Sequence, residues 1–486
     1  MRKEQRLQSP AALQAVFFLA LLWGCAAVGP DYVPPDKDLP AGWHATMNDG
    51  LLSAAADPQT LASWWATLDD PVLTTLIQRA VAGNIDLRTA QARVREARAR
   101  RGVSQAGLFP TLDASGAYTK SRSDGDSGSS RETELYAVGM DAGWELDIFG
   151  GTRRAVEAAE ADLAANREDL NHVLITLLAE VALNYIELRT LQARIAVAEA
   201  NVRSQQETHQ LTQSRYDAGL TDELAVQSAL YNLAGTQSQI PALQSTLEST
   251  RNRLTALLGQ PPGRLQRELS EPGAIPVPPA TVIVGVPADT VRQRPDVRRA
   301  ERQLAAQTAR IGVATAERYP QFRLLGTIGF DAPALDDLLD GGSRAWRFGP
   351  RFSWRLFDGG AIRQTIEVRS ALQEQALYHY QATILGALEE AETVLTAYVG
   401  EQSRREFLIQ ANAAAALAFQ LARDQYEAGL VDFTTVLIAQ RSLLALQDQL
   451  AQSEGTVTTN LVRLYKAMGG GWTAGTEAGT ESIAPQ

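Results

Sequence analysis

The chain has 486 residues and one cysteine, Cys25. A single thiol excludes an intrachain disulfide framework and any zinc or iron–sulfur site built on several cysteines. Histidine is nearly as scarce. His44, His172, His209 and His379 are scattered, and none stands at metal-ligand spacing with another. No paired carboxylates, Ser–His–Asp set or phosphate loop stands out, so there is little from which to build a catalytic site. The formal net charge of −11 argues against a nucleic-acid partner. The apolar run Ala11–Leu22, at roughly a dozen residues, is too short to span a bilayer as a helix. Apolar content is ordinary, so a real core is expected.

That short run follows a basic head of Arg2, Lys3 and Arg6, diluted by Glu4. The pair suits an export signal. One reading is an ordinary cleaved signal with an incidental cysteine. The other is a bacterial lipoprotein signal, with Leu22, Trp23, Gly24 and Cys25 as the lipobox. Leu22 and Gly24 fit that box, while Trp23 is bulkier than its usual occupant. The lipoprotein reading is preferred, because an exported protein with one unpaired thiol needs a use for it and acylation is one. Cys25 would then carry lipid as the mature N-terminus. Ala26 follows it, not the aspartate that often retains bacterial lipoproteins in the inner membrane, which favours the outer membrane.

The rest of the chain is written twice. Asp86 matches Asp296, Ala90 matches Ala300 and Pro110 matches Pro320, always at an offset of 210. RYDAGLTDEL around Gly219 matches QYEAGLVDFT around Gly429, and Leu258-Gly259 matches Met468-Gly469, at the same offset. A duplicated unit that keeps its lengths suggests halves held in register, as in a closed ring. Each half opens with a helical stretch, Pro71 to Ser104 and Val286 to Ala316. Two short alternating stretches follow, then two long helical stretches meeting at an Ala-Gly-Leu turn.

The alternation has period two. Tyr136, Val138, Met140, Ala142, Trp144, Leu146 and Ile148 take every second position, with small or charged residues between. Trp346, Phe348, Phe352, Trp354 and Leu356 do the same in the second half. Their partners are Leu112–Tyr118 and Phe322–Phe330, joined by polar linkers at Ser121–Glu134 and around Asp331–Arg344. Strands of about ten residues with aromatics near their ends are what an outer-membrane barrel needs. A half-exposed sheet on a soluble domain alternates in the same way, and the lipobox tips the choice toward the membrane.

Thr152 to Tyr216 contains neither proline nor glycine. Leu163, Leu170, Leu177 and Leu191 stand on a seven-residue grid, and Leu174, Val181, Leu188, Ile195 and Val202 stand on its companion. That is a coiled-coil pattern, and the helix would reach on the order of 90–100 Å. Ala361 to Glu427 is its counterpart, interrupted by Gly386 and Gly400, and Pro241 predicts a kink in the helical stretch after the first turn. Two strands per half cannot close a barrel, and an open sheet cannot sit in lipid with bare edges. Several chains must pool their strands, by cyclic symmetry. Two chains would give about eight strands with a filled interior, and three about twelve, which leaves room for a conduit.

These residues resemble a known family. Val28-Gly29-Pro30-Asp31-Tyr32 with Pro34 is similar to the start of the outer-membrane efflux lipoproteins, which are TolC-like and of the NodT and OprM type. Trp64-Trp65, Asp70-Pro71 with Leu73 and Leu76, and Asn84-Ile85-Asp86-Leu87 continue the likeness. Asp147–Gly151 and Leu356–Gly360 look like the family's strand-to-helix junctions. The match runs from Cys25 to Met468. The resemblance implies a mainly α protomer, internally duplicated, with four strands and long coiled-coil helices. It implies a homotrimer with a β-barrel of about twelve strands in the outer membrane and an α-helical barrel in the periplasm. It implies the passive exit duct of a tripartite pump, partnered by a periplasmic membrane-fusion adaptor and an inner-membrane RND-type transporter, with no cofactor beyond the lipid on Cys25.

The domain reading is a signal peptide at 1–24, an anchor and collar segment at 25–70, a first repeat at 71–258, a linker and collar at 259–285, a second repeat at 286–468 and a tail at 469–486. By the resemblance, Gly219, Leu220, Gly429 and Leu430 are periplasmic tips that meet the adaptor. The turns also have a local reading: glycine ends each helix, and Asp222 or Asp432 caps the next. Asp222 and Asp432 are candidate gate residues, able to ring the pore and repel anions, although the capping role is the preferred one. The alternatives are a type I secretion duct and a periplasmic coiled-coil lipoprotein without a channel. The second of these would not need four strands with aromatic ends and a polar opposite face.

Overall fold

A computed structural model describes residues 27–36, 39–48, 50–54, 57–124 and 130–472. The expected signal peptide at 1–24 and the expected lipid site Cys25 lie outside the described residues. In chain order the elements are β1 (Leu51–Ser53), α1 (Pro58–Ala62), α2 (Pro71–Gly83), α3 (Ile85–Ala106), β2 (Thr111–Asp124), β3 (Ser130–Leu146), α4 (Gly151–Asp217) and α5 (Glu223–Leu257). Then come β4 (Val282–Val284), α6 (Pro287–Gln293), α7 (Pro295–Ala316), β5 (Gln321–Ala332), β6 (Arg344–Ser353), α8 (Ala361–Glu427) and α9 (Phe433–Ala467). Helices α3 and α7, α4 and α8, and α5 and α9 begin and end 210 positions apart. The helices α4 and α8 have 67 residues each, and Gly386 and Gly400 do not interrupt the second.

The opening helical stretch of each repeat is broken, where the sequence predicts one helix. Asn84 is extended, and its Oδ1 accepts the Leu87 N–H at 2.9 Å to start α3. Arg294 is extended because Pro295 follows it. The strands β2 and β3 run further into the expected Ser121–Glu134 linker than alternation shows. Lys120 reaches Glu134 at 2.9 Å across the pair, and Ser121 opposes Thr133, so the ladder continues through polar residues. The strand β6 starts earlier than Trp346 and stops at Ser353 rather than Leu356. Its neighbour among the described residues, β5, begins at Gln321, which opposes Ser353.

The chain forms two units, and each draws on both repeats. The first holds the described residues up to Asp36 with Ala92–Arg167 and Arg299–Gln381. It contains an antiparallel sheet in the order β2-β3-β5-β6. The second holds the described residues of Lys37–Gln91, Glu168–Arg298 and those from Ala382 onward. Its core gathers Leu73, Leu76 and Ile77 of α2, Leu178, Val181 and Ile186 of α4, Leu395 of α8, and Leu461 and Leu464 of α9. Trp64 stacks on Tyr465 at 5.5 Å in the same core. The grid residues Leu177, Val181, Leu188 and Leu191 are buried, as the heptad pattern requires. A short parallel pair, β1 with β4, ties the segment before the first repeat to the segment between the repeats.

The duplication extends to single hydrogen bonds. Asn84 Nδ2 donates to the Leu257 carbonyl at 2.9 Å, and Arg294 Nη1 donates to the Ala467 carbonyl at 3.0 Å. Trp144 Nε1 donates to the Leu108 carbonyl at 3.0 Å, and Trp354 Nε1 donates to the Arg318 carbonyl at 3.1 Å. Both pairs are related by the same repeat offset.

Candidate functional site

The sheet of the first unit has two unlike faces, because successive side chains alternate and the registers keep like with like. On one face, Met140 opposes Ile328, which opposes Trp346. Leu112, Val138, Phe348 and Phe352 lie on the same face, and Trp346, Phe348 and Phe352 are 78%, 72% and 70% exposed. The other face carries Asp113, Asp141, Glu145, Arg323, Thr327 and Arg347. Thr327 donates to Asp141 Oδ1 at 2.8 Å and Ser115 to Asp141 Oδ2 at 2.8 Å. Arg323 lies opposite Glu145 and pairs with it at 2.8 Å. Such a sheet fits lipid on one side and water on the other. Among the described residues, β2 and β6 are its unpaired edges.

The segment that follows Cys25 is fastened to the same unit. Val28 N–H donates to the Phe149 carbonyl at 3.0 Å. Arg154, with its side chain 5% exposed, donates to the Val28 carbonyl at 3.1 Å and to Asp31 Oδ1 at 2.6 Å. Gly29 lies so close to Gly312 that an added Cβ would sit 2.4 Å from the Gly312 Cα. Burial pushes the Tyr32 phenol up, and the charge of Glu301 adds to that. The Val-Gly-Pro-Asp-Tyr motif is therefore fastened to the start of α4 and to α7. Nothing in its pattern points to Arg154, which lies more than a hundred residues away.

The second unit contains both Ala-Gly-Leu turns. Gly219 and Gly429 take φ of 70° and 73°, which glycine adopts without strain. Leu220 N–H donates to the Arg215 carbonyl at 2.8 Å, and Leu430 N–H donates to the Gln425 carbonyl at 2.9 Å, closing each helix end. Asp222 Oδ1 accepts the Ala225 N–H at 2.9 Å. Asp432 Oδ1 accepts the Thr435 N–H at 3.1 Å and its hydroxyl at 3.1 Å. Both candidate gate carboxylates thus act as helix caps. Leu220 and Leu430 are 66% and 75% exposed.

The contacts that join the two tips are not evident from the sequence. Arg215 Nη1 donates to the Tyr426 and Glu427 carbonyls at 3.1 and 3.3 Å. Its guanidinium lies 4.6 Å from the Tyr426 ring centroid. A cation thus meets the negative end of α8. The repeat counterpart of Arg215 is Gln425, so the grip runs one way only. Behind the tips, Ala225, Ala229, Phe433 and Val436 form a small apolar cluster. Beyond it the contacts are polar. Asn232 Nδ2 donates to Gln440 Oε1 at 3.2 Å, Arg441 Nε to Asn232 Oδ1 at 3.0 Å, Asn201 Nδ2 to Gln447 Oε1 at 2.7 Å, and Arg194 pairs with Asp448 at 2.8 Å.

Two buried polar groups brace the core of this unit. Tyr185 donates to Asp70 Oδ2 at 2.8 Å, and burial pushes its phenol up to about 12. Arg294 pairs with Asp296 and Glu390, both at 2.7 Å. Burial alone would raise the Asp296 carboxyl, but the Arg294 hydrogen bonds and charge override it and hold the carboxyl below its ordinary value. Among the described residues no cluster of His, Cys, Asp and Glu could hold a metal ion. Among them, too, no helix is long and apolar enough to cross a membrane.

Comparison with known proteins agrees with this geometry. The family described as outer membrane efflux protein matches the chain twice, at residues 76–260 and 286–470. Nodulation protein T of Rhizobium leguminosarum bv. trifolii is 31% identical over 464 residues, covering 95% of this chain and 98% of that protein. The solvent efflux pump outer membrane protein SrpC of Pseudomonas putida is 32% identical over 473 residues, covering 94% of this chain and 97% of that one. The solved structure of the outer-membrane channel OprN superposes with a TM-score of 0.86 at 36% identity, over 92% of this chain and all of that one. Matched in both repeats and along nearly its whole length, the chain belongs to the outer membrane efflux protein family, and it is an outer-membrane channel for efflux.

Proposed function

We propose that three copies of this chain pool their sheets into one barrel of about twelve strands and act as the passive exit duct of a tripartite pump. The observation that carries this reading is the sheet, apolar on one face, polar on the other, and open at β2 and β6. Bare strand edges do not occur in lipid, so each must find a neighbour. The helix α8 supports the same reading, since Leu385, Phe407, Leu417 and Leu421 on it are exposed apolar residues that a neighbouring copy would cover. In this reading the lipid on Cys25 is the only added group, and no catalytic step is assigned to the chain.

The tips, Gly219-Leu220 and Gly429-Leu430, would meet the hairpins of a periplasmic adaptor, and an RND-type inner-membrane transporter would supply the energy. The exposed leucines support this, because an exposed apolar side chain at each turn suits a helical partner. Asp222 and Asp432 would narrow the pore only as by-products of capping. SrpC is described as part of a solvent efflux pump, which favours small-molecule efflux over polypeptide secretion.

The test uses cells that lack this chain and are loaded with a fluorescent efflux substrate. Wild type should restore extrusion. The Leu220→Asp, Leu430→Asp double variant should not, while still forming a heat-modifiable oligomer. Full extrusion by that variant would remove the tips from the docking role.

A further inference from the structure

Resting on the reading that copies close one barrel, we infer the register of the joint between them. In that joint, Arg355, two residues past the end of β6, pairs with Asp113 on β2 of the next copy. The argument starts from the duplication. The strands β2 and β5 are repeat equivalents, and so are β3 and β6 with the residues that follow it. Trp144 and Trp354 fix that equivalence by making the same hydrogen bond 210 positions apart. The joint between β3 and β5 therefore has a counterpart, in which β6 meets β2. Among the described residues of one chain, β6 does not pair with β2. In a ring, the β2 strand that meets β6 belongs to the next copy.

Moving the known register by the repeat offset gives the unknown one. Glu145 opposes Arg323, so Arg355 opposes Asp113. The charges are exchanged and the complementarity is kept. Trp144 opposes Leu324, so Trp354 falls beside Ala114. Ala142 opposes Gly326, so Phe352 falls over Gly116, where a large ring meets no side chain.

Three further observations fit. The strand β3 continues to Leu146 because β5 pairs with it there, whereas β6 stops at Ser353, leaving Trp354 to Leu356 without a strand partner. Those residues are the ones that β2 of the next copy would take up. In addition, neither Asp113 nor Arg355 has an ion-pair partner among the described residues. Asp358, near Arg355, has both oxygens committed to the N–H groups of Gly360 and Ile362, at 2.8 and 2.7 Å. Leu112 and Leu356, brought opposite each other by this register, are 69% and 78% exposed in the single chain.

The experiment uses the full chain, purified from outer membranes in mild detergent. Its mass is measured first, without oxidant. Arg355→Cys with Asp113→Cys is then compared with Ser353→Cys with Asp113→Cys, which is two positions out of register on the same face. Under mild oxidation the first pair should link most chains into covalent dimers and trimers on a denaturing gel. The second pair and the wild type should give at least tenfold less. Asp113→Arg should lower the yield of oligomer, and Arg355→Asp added to it should restore that yield. An oligomer that links through the shifted pair, or through neither, overturns the register while leaving the duct intact. A wild-type chain that is monomeric by mass overturns both.

Discussion

Removing the Arg215 guanidinium should loosen the two tips from each other without unfolding either. Arg215 makes one good hydrogen bond to a carbonyl at 3.1 Å, a longer one at 3.3 Å, and a ring contact at 4.6 Å. A charged hydrogen bond contributes about 1.5 kcal/mol at the low end of its range. A partly exposed cation over a ring adds about 0.5 kcal/mol. Together these give about 2 kcal/mol, or roughly 30-fold in a local opening equilibrium. Arg215→Met keeps much of the side chain's apolar stem and removes the donors. Amide hydrogen exchange of the purified protein should quicken by about that factor at Ala428, Gly429 and Leu430, whose N–H groups close the end of α8. Exchange in the core around Leu461 should not change. If the tip amides of Arg215→Met exchange at the wild-type rate, the guanidinium does not hold the tips and the reasoning fails.

Three further perturbations test other parts of the account. Asp296 has a carboxyl held low by Arg294, so its contribution to stability is full above the unfolded value of about 3.9 and is lost as pH falls through the folded value. Asp296→Asn should therefore be less stable at pH 7 but lose less stability below about pH 4, as read by denaturant melts across pH. Ile328→Arg puts a charge on the lipid face and should cost about 2–4 kcal/mol if it lies near the bilayer midplane, whereas Thr327→Arg on the opposite face should be tolerated. Heat-modifiable migration reads the difference, and equal behaviour of the two would contradict the assignment of faces. An added Cβ at Gly455 would lie 2.0 Å from Thr190 Oγ1, so Gly455→Ala should destabilise by about 1–3 kcal/mol. Thr190→Ala in the same chain should recover part of that loss in a thermal melt.

The long helices were legible because duplication and heptad spacing are local, repeated signals. Matching lengths of α4 and α8, and of α5 and α9, follow from the two Ala-Gly-Leu turns and a constant offset. The caps at Asp222 and Asp432 were legible for the same reason. The breaks at Asn84 and Arg294 have signals that a reading of the apolar period passes over. Asn84 precedes Leu87 at capping distance, and Arg294 precedes a proline. The pairing of β1 with β4 involves short segments far apart in the chain, and their own pattern is too brief to show it. The polar ends of β2 and β3 were hidden because alternation stops where a strand leaves the apolar layer, although the ladder does not. Arg154 and Arg215 act across long separations, on backbone carbonyls that carry no sequence signal.

The central claim is that copies of this chain enclose a water-filled path. Single-channel recording of the purified protein in a planar bilayer tests it most directly, with Arg215→Met alongside. Discrete conductance steps from the wild type, larger or more frequent in the variant, are the predicted result. No steps from either protein, in a sample shown to be folded and trimeric, would contradict it.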